Sequence, residues 1–507
     1  MVGSINPVRV EDDSTRHTPH RRLRTRLRPW LPLAGVLALA AGSGLVTGQI
    51  APLGPVTTVG ALAVMATGAL LGLVGGRVAR SAWVVIAVAV VHVGAIEIAR
   101  SDVLLPTVHD VRIDSMWGWL ALVLGRGVHA ALLVLPMILG ARVGAGVRGR
   151  AGTAVAGVLT LGLAVVVALP ASTPPVRDAD GDVVPGSVAT LDTVPLGGDP
   201  HTVMVRAADP DAPVLLYLSG GPGQSDLALS RVLSEPWVDD VVFATYDQRG
   251  NGTSYAALLP TEEATLDRAV TDVIELTDYL RTRFGEDRVI LMGESWGTIL
   301  GVLAVQQRPD LFHAYLGSGQ MVDVTETDRR IYRDLVDYAD RTGDGSVAAL
   351  TERIGPPPYA DIPWANADVM LAYEYLYGPY TPSAGYLERG RASGLDQFGV
   401  RGVEYTWVDK VDVLRGLMDT FAVMYPQIQG LDLRRDVPRL EVPVFVLDGA
   451  AELDGRRELA LQWYAALEAP TKQLVTFDGA AHAVAFEQAD AVERLLVEEV
   501  LPLVGDR

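Results

Sequence analysis

The stretch RVILMGESWGTILGVLAVQQ, residues 288–307, sets the fold of everything around it. RVILMG reads as a short buried strand and TILGVLAVQQ as the helix that leaves it. Between them Gly293-Glu294-Ser295-Trp296-Gly297 fits G-x-S-x-G. Glycines on both sides of the serine permit a tight strand-to-helix turn that lifts its oxygen clear of the backbone. The motif alone is weak, and the strand–turn–helix setting is what gives it weight.

Outward from this turn, apolar runs alternate with helical stretches. HTVMVRA (201–207), PVLLYLS (213–219), VVFATY (241–246) and VPVFVLDG (442–449) read as strands, and 261–285 and 297–308 as helices. Such alternation predicts a mostly parallel sheet covered by helices on both faces. Residues from about 321 to 440 break the rhythm with helix formers, tyrosines and Pro-bounded turns, and are expected to form a cap over one end of the sheet.

A serine nucleophile needs a base and an orienting acid, here expected in the order Ser, acid, His. Only His313 and His482 follow Ser295. His313 comes before any acid-bearing strand, which leaves His482. The acid belongs on the loop after the preceding strand, where VPVFVLDGAAELD offers Asp448, Glu452 and Asp454. Asp448 is still inside the strand, so Glu452 is the expected acid and Asp454 the alternative. For the oxyanion, the expected N–H donors are Trp296, just after the nucleophile, and Gly221 in the loop Gly220-Gly221-Pro222-Gly223. This chemistry calls for no metal and no organic cofactor.

The first third is of a different character. Five apolar runs, roughly 30–50, 57–78, 82–99, 116–140 and 151–170, are each near the ~20 residues a helix needs to cross a bilayer. Arginines cluster before the first run (Arg16 to Arg28), between the second and third (Arg77, Arg80) and between the fourth and fifth (Arg142, Arg148, Arg150). The other connections are uncharged or rich in Asp. Basic loops stay in the cytoplasm, so five crossings from a cytoplasmic N-terminus place everything after Pro170 outside the plasma membrane. Inside the runs His92, Glu97, Arg126 and His129 are costly, and pairing of Glu97 with Arg126 is the plain expectation. The expected divisions are a basic segment 1–29, a five-span domain 30–170, a linker 171–186 and a catalytic domain 187–507.

Residues 1–170 carry 15 Arg against 7 acids, and the remaining 337 carry 27 bases against 54 acids. An acidic catalytic half argues against nucleic-acid binding. The absence of cysteine excludes disulfides and thiolate chemistry. Nothing in the chain calls for an obligate protein partner.

SGGPG (219–223), YDQRGNGTS (246–254), GESWG (293–297) and AHAVAFEQ (481–488), in that order, resemble the prolyl aminopeptidase (proline iminopeptidase) family of α/β-hydrolases. The resemblance covers about 201–320 and 440–507. Ser219 stands where that family usually has His, the acid is Glu rather than Asp, and the apolar runs are an addition. The resemblance implies an α/β-hydrolase fold and release of an N-terminal residue, often proline, from small peptides, with cap carboxylates receiving the free amino group. Glu374, in Ala372-Tyr373-Glu374-Tyr375, is one candidate for that task; the plainer expectation is an exposed helix residue. An esterase or lipase-like hydrolase is the alternative within enzymes, and a membrane sensor using the fold as a binding module the alternative outside them.

Overall fold

The computed structural model describes residues 30–109, 111–359, 361–362, 364–374, 380–382, 384–393 and 402–505. The basic N-terminal segment, Asp110 and Tyr375 lie outside these. Eight strands form one sheet: β1 (Val188–Leu196), β2 (Asp199–Ala207), β3 (Val214–Leu218), β4 (Val242–Tyr246), β5 (Val289–Glu294), β6 (Phe312–Ser318), β7 (Val444–Gly449) and β8 (Lys472–Phe477). Their order is β1-β2-β4-β3-β5-β6-β7-β8. β1 pairs antiparallel with β2 and β2 with β4; all other pairs are parallel.

Every residue of β3, β4, β5 and β7 is buried. Each fully buried Val or Leu contributes roughly 1.5–3 kcal/mol, so the centre of the sheet is the best-anchored part of the domain. The helices Leu266–Phe284 and Trp296–Gln307 cover it close to the expected limits. β1, β6 and β8 were not among the expected strands. β1 and β8 are partly exposed edges that lack the apolar signature, and β6 (FHAYLGS) is interrupted by a half-exposed His and a Gly.

The insertion between β6 and β7 is helical: Val324–Thr342, Gly345–Ile354, Trp364–Ala372, Ala384–Ser393 and Trp407–Met424. Thr406 and Asp409 form a capping box that starts the last of these firmly.

The apolar runs are helices Trp30–Ile50, Thr58–Ala79, Val84–Ala99, Met116–Gly144 and Arg150–Ala168. Four, not the expected five, are long and apolar enough to cross a membrane; Val84–Ala99 has only 16 residues. The expected third run began at 82, but Ser81, Ala82 and Trp83 turn the chain after the preceding helix. The remaining helix spans about 24 Å, short of a ~30 Å hydrocarbon core.

The chain divides into two compact units, and the division does not fall at the end of the apolar region. Residues 65–99 and 133–160 belong, with the first helix, to one unit. Within it Gly68, Gly72 and Gly76 lie against the backbone at Leu133, Met137 and Ala141, a small-residue crossing of two helices. The second unit contains 161–507 together with 50–64 and 100–132. Half of the helix Met116–Gly144 is therefore part of the unit that holds the sheet. The stretch expected as linker is also pinned to it: Ser172 N–H donates to Val403 O at 2.9 Å, and Arg206 Nη1 to Pro174 O at 2.6 Å.

Candidate active site

β5 ends at Glu294 and the next helix starts at Trp296, leaving Ser295 alone in the turn with φ 51° and ψ −118°. A non-glycine residue at positive φ stores strain, and it holds the Oγ at the tip of the elbow. A Cβ on Gly293 would run into the Gly297 carbonyl, and one on Gly297 into the Leu218 carbonyl. The two motif glycines are thus required by close packing of the elbow on itself and on β3.

The loop after β7 carries the acid and the loop after β8 the histidine. His482 Nε2 lies 2.9 Å from Ser295 Oγ, and its Nδ1 is hydrogen-bonded to Glu452 Oε2. Asp448, set aside because it lies in the strand, and the alternative acid Asp454 are engaged elsewhere. Asp448 is ion-paired with Arg457 at 2.7 Å, and Asp454 is the first residue of the helix Asp454–Ala466. Burial works to raise the Glu452 pKa, but the nearby charges of Arg456 and His482 outweigh it and hold the carboxyl well below the usual range. Glu452 is therefore an acceptor only, which fixes the proton on Nδ1 and turns the Nε2 lone pair toward the serine.

Trp296 opens its helix, so its N–H is among those without an intrahelical acceptor. Gly221 lies in the loop after β3, where a Cβ on the adjacent Gly220 would stand 3.5 Å from the Ser295 Cβ. One side chain ties these two donor segments together. Gln248 Nε2 donates to Ser219 O at 3.0 Å, while its Oε1 accepts from Trp296 Nε1 at 2.8 Å. Gln248 sits in the quoted YDQRGNGTS stretch, yet its partners are distant in sequence and nothing in the motif names them. Beneath the elbow Glu294 and Asp226 are buried, and burial pushes both carboxyls up, Asp226 to about 7.

A cavity of about 470 Å³ opens beside His482 and Glu452, within the usual range for small-molecule sites. Its polar wall holds Glu374, Arg456 and Glu487. Buried Arg456 donates to Glu452 Oε1 at 2.8 Å and pairs with Glu374 Oε1 at 2.7 Å. Glu374 is thus a partly exposed wall residue in an ion pair, more than the plain helix residue expected. Arg456 was missed by sequence reasoning; its position four residues after Glu452 on a helix was the available signal. The apolar wall includes Trp117, Trp364, Met418 and Phe421.

Residues 215–495 match the model of the alpha/beta hydrolase family. This chain is an alpha/beta hydrolase. The hydrolase is 28% identical over 303 residues to the probable aminopeptidase YbaC of Bacillus subtilis (strain 168), which spans 60% of this chain and 93% of that protein. A probable proline iminopeptidase of Leptolyngbya boryana is 30% identical over 112 residues, 22% of this chain and 32% of its own. The solved structure of the proline iminopeptidase of Mycobacterium smegmatis covers 62% of this hydrolase and 99% of its own chain, at 17% identity and a TM-score of 0.43.

Proposed function

We propose that this hydrolase is a membrane-anchored serine aminopeptidase that acts outside the cytoplasm. The observation that carries the serine mechanism is the 2.9 Å approach of His482 Nε2 to Ser295 Oγ on a strained elbow, with Glu452 behind the ring. Ser295 Oγ attacks the scissile carbonyl carbon and its proton passes to His482 Nε2. The oxyanion is held by the N–H groups of Trp296 and Gly221. Collapse expels the leaving amine, which takes the proton from His482, and a water repeats the cycle on the acyl-enzyme.

The aminopeptidase reading draws on the relative named a probable aminopeptidase and on the carboxylates Glu374 and Glu487 in the cavity wall. A buried α-ammonium needs such a partner. The apolar wall favours a second reading, an esterase acting on apolar acyl groups. The membrane reading draws on four long apolar helices and on large apolar side chains exposed along them, such as Leu39, Leu70 and Leu161.

The test compares prolyl and alanyl amides bearing a free amine with their N-acetylated forms and with p-nitrophenyl esters. Free amides are expected to be hydrolysed more than about tenfold faster than blocked ones, and Ser295→Ala to abolish both. Equal rates on free and blocked amides, with esters much faster, would favour the esterase.

A further inference from the structure

The cavity beside His482 is walled in part by one residue from the apolar N-terminal third. Trp117, in the first turn of Met116–Gly144, lines it together with Trp364 and Met418. These belong to one packed cluster with Ala121, Leu124 and Val411. Their placement is not incidental, because three polar ties hold the 100–132 segment to the cap. Asp419 accepts from Thr107 N–H at 2.9 Å and from Thr107 Oγ1 at 2.5 Å. Arg415, wholly buried and paired with Asp412, donates to the Leu124 carbonyl at 2.7 Å, which the π turn Val123–Gly127 presents to it. Arg112 is ion-paired with Asp361 and lies 5.4 Å from the centre of the Trp364 ring.

The Arg415 and Asp419 ties are buried and costly to leave unmade, so the Trp117 side of the cavity is a fixed wall; the Arg112–Asp361 pair is partly exposed. Two indoles, a thioether and the Phe421 ring make this wall predominantly apolar, with the indole N–H groups as its few polar atoms. It offers a large area for an apolar group. The geometry points to a substrate that carries a long or bulky apolar group lying against Trp117, Trp364 and Met418, with Trp117 a specificity-determining residue. This rests on the serine hydrolase reading and adds to it the class of group the substrate bears beyond its scissile bond. Two sources share that chemistry, a fatty acyl chain and an apolar peptide residue.

The experiment uses the full chain in lipid nanodiscs. p-Nitrophenyl acetate is compared with the decanoate, and glycyl with phenylalanyl p-nitroanilide, both amides with a free amine. The wild type prefers the apolar member of at least one pair by at least about tenfold in kcat/KM. Trp117→Ala removes most of that preference through KM, and Trp117→Phe keeps much of it. Trp119→Ala, an exposed neighbour outside the cavity, keeps all of it. A preference in the ester pair assigns a fatty acyl chain, and one in the amide pair an apolar residue. No preference in either pair, or a preference untouched by Trp117→Ala, overturns the inference while leaving Ser295 as nucleophile. A decanoyl amide bearing a diazirine, photolysed with the Ser295→Ala variant, reads the wall without turnover. Cross-links at 117, 364 or 418 support the inference even where no test substrate is cleaved, and cross-links elsewhere overturn it.

Discussion

Glu452 is held between two cations of different permanence. In the proposed mechanism His482 changes charge during turnover, whereas Arg456 keeps its charge at all working pH values and also bonds Glu374. Removing the permanent one reverses the balance at the carboxyl. In Arg456→Met, burial would dominate and the Glu452 pKa would rise from its depressed value. The sign follows from linkage: a depressed carboxyl contributes stability that is lost only as pH falls through its folded pKa. The wild type therefore carries this contribution in full at neutral pH and sheds it on acidification below the usual carboxylate range, whereas the variant, its carboxyl no longer depressed, lacks it already at neutral pH. The acid limb of kcat/KM should move to higher pH in Arg456→Met, and its thermal-stability deficit against the wild type should be largest at neutral pH and narrow on acidification. Arg456→Lys should restore part of both, and an unchanged acid limb would remove Arg456 from the site's electrostatics. That Ser295, Glu452 and His482 would meet was legible because a nucleophile elbow and the fixed order of strands leave few choices for the other two. Arg456 and Gln248 were not, since each acquires its role from partners on separate loops that only the folded sheet brings close.

The helix Trp407–Met424 connects parts that the sequence keeps far apart. Gly416 packs against the Gly223 carbonyl of the glycine loop, and Thr420 Oγ1 donates to Gly250 O at 2.6 Å. Elsewhere on the same helix Arg415 and Asp419 reach Leu124 and Thr107. Asp419 is the key acceptor, taking a further hydrogen bond from Tyr255 OH at 2.5 Å. Asp419→Ala leaves three buried donors without their acceptor, a cost of roughly 3 kcal/mol or more. It should lower the melting temperature of the detergent-solubilised protein and open the 100–132 segment to protease, while Asp419→Asn, which keeps one carbonyl, should do less. Equal behaviour of Asp419→Ala and wild type would deny the tie any stabilising role. The presence of a helical cap was readable from the interrupted strand rhythm. The use of this helix was not, because its Asp and Arg residues look like those of any solvated face until a partner covers them.

At the scale of the whole chain, the direction of the C-terminus turns on one short helix. An outside location for the hydrolase requires an odd number of crossings, so Val84–Ala99 must cross despite its 16 residues. Local thinning of the bilayer accommodates such a mismatch at modest cost. A reporter enzyme fused after Arg507 should be active only in the form that works outside the cytoplasm, and protease added to spheroplasts should remove the hydrolase. A protected C-terminus would mean that this helix does not cross. The alternating arginines support the proposed orientation, but apolar content alone did not reveal where a helix begins, since Ala82 and Trp83 in the turn are apolar too. The joint between Thr107, Leu124 and the helix Trp407–Met424 has a consequence for how such a chain can change over generations. Anchors joined by a free tether are exchangeable cassettes, swapped by recombination without harm to the enzyme they carry. Here the 100–132 segment supplies hydrogen-bond partners to buried charges and Trp117 to the cavity wall, so a replacement would arrive with the wrong surface. Substitutions at 107, 117 and 124 and those at 412–419 constrain one another, and the two parts can only drift together.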